Sequence, residues 1–239
     1  MPHKGTDSSV TKIADASSSD WDCHLYNIER ISYTKALDIQ HRLHDRCASG
    51  DVPGAILLLE HDPVITMGVK THAANLLCSP QVLRASGIDL AKTDRGGDIT
   101  YHGPGQLVGY PILPLRKLGL DVHGFLRKLE QSIIDALAEF GLEGSRNGPA
   151  GVWVGDKKVC SIGIAVRKWV TYHGFALNVD PITEHFALIN PCGLSSDRIT
   201  SLRELMAVPP DMAVVREVCA REMALEFGLR LIREQGEPK

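Results

Sequence analysis

The chain has 239 residues, 44% of them hydrophobic and 23% charged, with a formal net charge of −3. That length and apolar content can bury a sizeable core, while the slight negative charge gives no electrostatic reason to expect nucleic acid as a partner. No apolar run is long enough to span a bilayer, so no membrane association is expected.

Residues 1–20, MPHKGTDSSVTKIADASSSD, lack the apolar core of a signal peptide and read as a disordered N-terminal tail. The folded domain is expected over 21–239, in the cytoplasm. Cys23 to Ile28 reads as a first strand, and Ser32 caps a helix through about Ala48 with Ala36, Ile39 and Leu43 on its apolar face. His41, His44 and Cys47 fall at helical spacing there. With no further ligand pattern elsewhere, they read as surface histidines and a half-buried cysteine rather than a metal site. Cys23, Cys47, Cys78, Cys160, Cys192 and Cys219 form no C-x-x-C pair, which suits neither a zinc ribbon nor a disulfide framework.

Ala55 to Glu60 (AILLLE) is a continuous apolar run, hence a central strand, and His61-Asp62-Pro63 turns it into a second strand over Val64 to Met67. Ser79 and Pro80 supply an N-cap and an N1 proline for a short helix that ends near Gly87. Ile88 to Thr93 leads into the most unusual composition in the chain, Arg95 to Leu113, RGGDITYHGPGQLVGYPIL. Glycine loses the most backbone entropy on folding, so such a cluster is tolerated where the backbone must turn sharply or approach something closely. Strand-like flanks, Ile99 to His102 and Leu107 to Ile112, bracket His102-Gly103-Pro104-Gly105, and Arg95-Gly96-Gly97 forms a further tight turn. The pattern suits a bare backbone wall for a ligand. Gly103, Gly105 and Gly109 are spaced one residue too long for a dinucleotide fingerprint and open no helix.

Asp121 caps a long helix with Phe125, Leu129, Ile133, Leu137 and Phe140 on one side and Gly141 as its stop. Gly151 to Val154, Lys158 to Arg167 and Val170 to Val179 are successive strands, followed by a short helix over Ile182 to Ala187 and a longer one from Asp211 to Phe227, stopped by Gly228. Adjacent strands in the middle, with helices between and after them, predict an α/β (α+β) domain built on a mixed sheet, without regular βαβ repetition.

Cys192 sits in Ile189-Asn190-Pro191-Cys192-Gly193, where proline and glycine make a sharp turn that can project one side chain. That context is a poor one for core packing and makes Cys192 a candidate nucleophile. A cysteine with its ordinary pKa of ~8.5 is only slightly ionised at neutral pH and needs a nearby cation or base. Lys158 is a candidate. On its strand Cys160, Ile162, Ile164 and Val166 form a large apolar face, and Val159, Ser161, Gly163 and Ala165 a small one. Lys158 shares parity with the large face and reads either as a rim lysine able to exchange protons near neutrality or as a side chain snorkelling out at a strand end. Cys160 lies close by but shares the apolar face, so it is expected to be buried and inert. His102 and His173 each precede a glycine and are candidates for substrate positioning.

RGGDITYHGPGQLVGYPI closely resembles the signature of the lipoyl(octanoyl) transferase family, and similar pieces follow at Lys158-Val-Cys-Ser-Ile-Gly163, His173-Gly-Phe-Ala-Leu-Asn178 and Asn190-Pro-Cys-Gly193. The resemblance implies a single domain with a central mixed β-sheet flanked by helices, like the catalytic domain of biotin and lipoate ligases. It implies an acyltransferase that moves an octanoyl group from octanoyl-acyl carrier protein to lysines of lipoyl domains, those of 2-oxoacid dehydrogenases and of the glycine cleavage H protein. Cys192 would be the acylated nucleophile and Lys158 the residue that lowers its pKa and shuttles the proton. The acyl site would comprise Arg95, Gly96, Gly97, Asp98, Ile99, Thr100, Tyr101 and His102, then Ser161, Ile162 and Gly163, then Gly174, Phe175 and Ala176. No cofactor or metal is implied. The alternatives are an ATP-dependent lipoate or biotin ligase and a non-catalytic acyl-binding protein; Asn-Pro-Cys-Gly speaks against the first and the pairing of Lys158 with Cys192 against the second.

Overall fold

A computed structural model describes residues 21–190 and 196–238. The expected tail and Cys192 therefore lie outside the described residues. In chain order the elements are β1 (Trp21–Ile31), α1 (Tyr33–Ser49), β2 (Ala55–His61), β3 (Val64–Met67), α2 (Pro80–Ala85), β4 (Asp89–Lys92), β5 (Ile99–His102), β6 (Gln106–Ile112) and α3 (Val122–Glu139). There follow β7 (Gly144–Ser145), β8 (Gly151–Val154), β9 (Lys157–Arg167), β10 (Val170–Asn178), α4 (Leu202–Leu205), α5 (Met212–Phe227) and β11 (Leu229–Glu234). Thr183–Leu188 is a 3-10 turn rather than an α-helix.

The main sheet runs β11-β1-β2-β6-β10-β9-β8-β7, and a small sheet runs β4-β3-β5. β1 pairs parallel with both β11 and β2, whereas β2–β6, β6–β10 and β10–β9 are antiparallel, so the sheet is mixed as expected. Alternation explains the continuous apolar run in β2: Ile56 and Leu58 join the core under α3 and α5, while Leu57 and Leu59 join the core under α1. A central strand buried on both faces has no polar side to display. Phe175 and Leu177 in β10 face the first core, and Ala176 faces the second. The small sheet carries its own cluster, with Ile65, Ile99 and Tyr101 packed against Phe186 and Ile189.

Local signals explain most boundaries. Asp121 and Asp211 accept bonds from the first-turn amides of α3 and α5, and Gly50 and Gly228 end α1 and α5 in left-handed conformations. Ser32 occupies the N-cap position of α1, but its side chain makes no capping bond. Gly228 does more than stop a helix, since it turns the chain directly into β11, a strand absent from the sequence reading. LRLIRE lacks clear alternation, and only pairing with β1 makes it a strand. No helix among the described residues is long and apolar enough to cross a membrane.

Candidate active site

A narrow cavity of about 40 Å³ lies between the α1 face of the main sheet and the small sheet. Its walls are Arg95, Gly96, Gly97, Thr100 and His102 from the glycine turn and β5, Ser161, Ile162 and Gly163 from β9, and Gly174, Phe175 and Ala176 from β10. Tyr33, Val108, Tyr110 and His173 complete it. The cross-strand pairs Ala176↔Ser161 and Gly174↔Gly163 put the small residues of β9 and β10 side by side on the cavity face. A Cβ on Gly163 would stand 2.8 Å from the Gly96 carbonyl oxygen, and one on Gly174 2.1 Å from that of Gly109. Backbone must approach backbone here, and only glycine allows it.

Asp98, Ile99 and Tyr101 do not line this cavity. In β5 successive side chains alternate, so Thr100 and His102 turn toward the cavity while Ile99 and Tyr101 are fully buried in the core of the small sheet. Asp98 lines an adjoining outer cleft, where it accepts a hydrogen bond from Asn75 Nδ2. Sequence reading missed Tyr33, Val108 and Tyr110. Val108 and Tyr110 share parity on β6, a signal present within the glycine stretch. Tyr33 could not be found from sequence, because α1 meets the cavity only through the tertiary packing.

Polar groups around the cavity are held by defined partners. The buried Arg95 guanidinium donates from Nη2 to the Thr66 carbonyl at 2.8 Å and from Nη1 to the Gly96 carbonyl at 3.1 Å, which fixes the turn that forms one wall. His102 Nδ1 donates to Gln106 Oε1 at 2.7 Å, Gln106 Nε2 donates to Asn178 Oδ1 at 2.9 Å, and Asn178 Nδ2 donates to the Thr200 carbonyl at 2.9 Å. The Thr200 amide in turn donates to the Lys158 carbonyl at 3.0 Å, so a continuous chain of bonds links the cavity histidine to the strand carrying Lys158.

His173 adopts φ 56° within β10. A left-handed conformation costs a non-glycine residue roughly 1–2 kcal/mol and persists where surrounding bonds over-determine it. Here the His173 amide donates to Gln40 Oε1 at 2.8 Å and Nε2 donates to Asp94 Oδ1 at 2.9 Å. The twist turns the imidazole to the cavity face, against Tyr110, where regular alternation would have sent it to the opposite core.

Burial lowers the pKa of His61 to about 4, of His102 to about 3 and of His173 to about 4. All three are therefore neutral at pH 7. The unfolded chain protonates these groups near pH 6.5, but the folded chain resists until far lower pH, so the unfolded state binds more protons in between. Stability is therefore present above pH 6.5 and lost as pH falls from 6.5 toward 4, at roughly 1 kcal/mol per pH unit for each histidine. Urea midpoints measured at pH 7, 6 and 5 should fall progressively; a midpoint unchanged at pH 5 would contradict the burial account.

Lys158 departs from the parity expected of it. The β8–β9 register steps from Val152↔Cys160 to Trp153↔Lys158, so Val159 is an extra residue in a bulge. Val159 and Cys160 both enter the core under α3 and α5, while the Lys158 ammonium lies 5.6 Å from the Trp153 ring. Its Cε passes 2.6 Å from where a Gly151 Cβ would stand. Gly151 pairs with Ser161, so Lys158 shares the cavity-side face of the sheet and not the face of Cys160. At 2% exposure it is buried and not at a solvated rim. Cys160 is fully buried, and desolvation pushes its thiol pKa far up, as expected for an inert core residue. His44 and Cys47 are likewise buried rather than surface groups; His44 Nε2 donates to the Arg167 carbonyl at 3.0 Å.

The segment bearing Cys192 is anchored at both described ends. Ile189 bridges to Leu76, and the Asn190 amide donates to the Asn75 carbonyl at 2.8 Å; beyond it, Ile199 bridges in parallel to Lys158 itself.

Residues 32–224 match the family described as the lipoyl protein ligase A/B catalytic domain. The chain is 42% identical over 215 residues to an octanoyltransferase of Clostridium kluyveri, covering 89% of this chain and 92% of the relative. Among solved structures it resembles a lipoate-protein ligase A bound with ATP, with a TM-score of 0.74, 17% identity and 90% of each chain covered. It also resembles a bi-partite lipoate protein ligase of Thermoplasma acidophilum, with a TM-score of 0.71, 17% identity, and 89% of this chain and 86% of that one covered. These structural likenesses establish the mixed-sheet fold, and with the sequence match over most of its length the chain belongs to the lipoyl protein ligase A/B catalytic-domain family.

Proposed function

We propose that this chain is an octanoyltransferase of lipoate biosynthesis, taking the acyl group from octanoyl-acyl carrier protein and delivering it to lysines of lipoyl domains, including those of 2-oxoacid dehydrogenases and the glycine cleavage H protein. Relatives named octanoyltransferase that match most of the chain support the reaction class. The observation that carries the reading is the cavity whose wall, Ser161 to Gly163, belongs to the same strand as Lys158. Small residues and bare backbone in that wall suit close contact with an unbranched acyl chain, and the buried lysine lies on the same face of the sheet.

In this reading Cys192 is the nucleophile. Lys158 accepts the thiol proton, and the thiolate attacks the carbonyl carbon of the donor thioester. The tetrahedral intermediate collapses by breaking the bond to the carrier's sulfur, which leaves as a thiol after Lys158 returns the proton. The acyl-enzyme thioester then meets the neutral ε-amine of the acceptor lysine. An amide bond forms, the Cys192–carbonyl bond breaks, and Lys158 relays the amine proton to the departing thiolate. An amide is more stable than a thioester, so the donor supplies the driving force and no ATP is consumed. Placement in the cytosol belongs to the same reading; Cys23, Cys47, Cys78, Cys160 and Cys219 are all unpaired, which suits a reducing compartment.

Intact mass after incubation with octanoyl-acyl carrier protein tests it. A thiol-labile octanoyl adduct is expected in the wild type and in Cys160→Ser and is expected to be missing in Cys192→Ser. ATP-dependent activation of free octanoate with no such adduct would overturn the transferase reading in favour of a ligase.

A further inference from the structure

Trp153 is almost wholly buried, yet among the described residues it belongs to none of the three apolar cores. Its neighbour Val152 enters the core under α3 and α5, so alternation along β8 turns the indole to the opposite face, the side of Gly151. Two cations meet the ring there. The Lys158 ammonium lies 5.6 Å from its centroid, and the Arg198 guanidinium carbon lies 5.6 Å from the same point. Backbone holds the ring itself: Nε1 donates to the Pro149 carbonyl at 3.3 Å, and a Cβ on Gly148 would stand 2.7 Å from Cζ2. Trp153 and Lys158 are direct partners across β8 and β9 at the step in register. Arg198 is fixed in turn, with Nε donating to the Asp156 carbonyl at 2.9 Å, and the next residue, Ile199, bridges to Lys158.

We propose that Trp153 is a positioning residue for octanoyl transfer, its ring seating the Lys158 ammonium. This role rests on the octanoyl-transfer reading above and adds the group that holds the lysine in place. An aromatic face attracts a charged ammonium electrostatically, and burial strengthens the attraction because water does not compete. A lysine stem is flexible, so a seat for its head narrows the positions from which it exchanges a proton. Arg198 on the same ring ties that seat to the strand-like stretch that returns beside Lys158.

The test is the pH dependence of iodoacetamide alkylation at Cys192, read by peptide mass, together with kcat for octanoyl transfer, in Trp153→Phe and Trp153→Leu. Phenylalanine keeps an aromatic face and should hold both within about threefold of the wild type. Leucine removes the face and should slow alkylation at pH 7 and kcat by about tenfold, the size of a desolvated cation–π contact. Alkylation at about pH 9.5, where a thiol of ordinary pKa is ionised, should stay as in the wild type. An unchanged alkylation profile in Trp153→Leu overturns the proposal. So does a Trp153→Phe variant as impaired as Trp153→Leu, since packing volume would then be what counts.

If Trp153→Leu does not fold, protein grown on mono- and difluorotryptophan carries the test. Successive fluorines withdraw charge from the ring face at nearly constant volume, so alkylation at pH 7 should fall stepwise. Trp153→Phe protein grown on the same amino acids controls for Trp21 and Trp169. An equal fall in that control, or none in the wild type, overturns the proposal. A wild type that forms no octanoyl adduct overturns the octanoyl-transfer reading instead; alkylation needs no donor and still tests the seat.

Discussion

Lys158→Met is expected to lower kcat for octanoyl transfer by about a thousandfold, within the range that a positioned acid–base group supplies. Lys158 is buried at 2% exposure with its ammonium 5.6 Å from the Trp153 ring, so an unbranched apolar replacement of similar length preserves the packing. In the proposed mechanism what is lost is the charge and the proton carrier. If Lys158 sustains the thiolate of Cys192, alkylation of Cys192 by iodoacetamide in the variant should follow a thiol of ordinary pKa, near ~8.5, and slow markedly at pH 7. A purely structural lysine would lower activity without moving that alkylation profile. Unchanged alkylation at pH 7, with kcat within a few-fold of the wild type, would remove Lys158 from the mechanism.

Gly174→Ala is expected to produce a large loss of stability, about 3 kcal/mol or more, the upper part of the range for overpacking a dense interior. The added Cβ would stand 2.1 Å from the Gly109 carbonyl oxygen and 2.8 Å from Pro111 Cδ. Both partners belong to β6, the strand hydrogen-bonded to β10 at the centre of the sheet, so neither can swing aside as a flexible side chain could. For a domain of this size that cost lowers Tm by roughly 10 °C. The methyl also displaces β10, which carries Phe175 and Ala176 in the cavity wall, so acyl transfer falls with stability. Gly119→Ala is the comparison: Gly119 has φ 66° but nothing within 4 Å of a Cβ, so only conformational strain of about 1 kcal/mol is expected. Equal melting temperatures for the two variants would refute the steric account.

The sequence by itself determined the strands that pack on both faces and the helices with clear caps. AILLLE has no polar side because it is central, and Asp121, Gly141, Asp211 and Gly228 mark helix ends through chemistry local to a few residues. It also singled out the glycine turn, whose residues fall at the wall of the cavity because close backbone approach demands glycine wherever it occurs. Parity within β5 was equally present in the sequence and separates Thr100 and His102 from Ile99 and Tyr101. What the tertiary structure alone decided depends on partners distant in the chain. β11 is a strand because β1 offers it an edge, not because LRLIRE alternates. The bulge at Val159 reverses the side of the sheet taken by Lys158, and a bulge arises from the register of β8 against β9, which no single strand encodes. His173 reaches the cavity through a left-handed backbone that Gln40 and Asp94, far away in sequence, hold in place. Periodicity is a property of one segment, whereas register, strain and the meeting of Tyr33 with Tyr110 are properties of the packed whole.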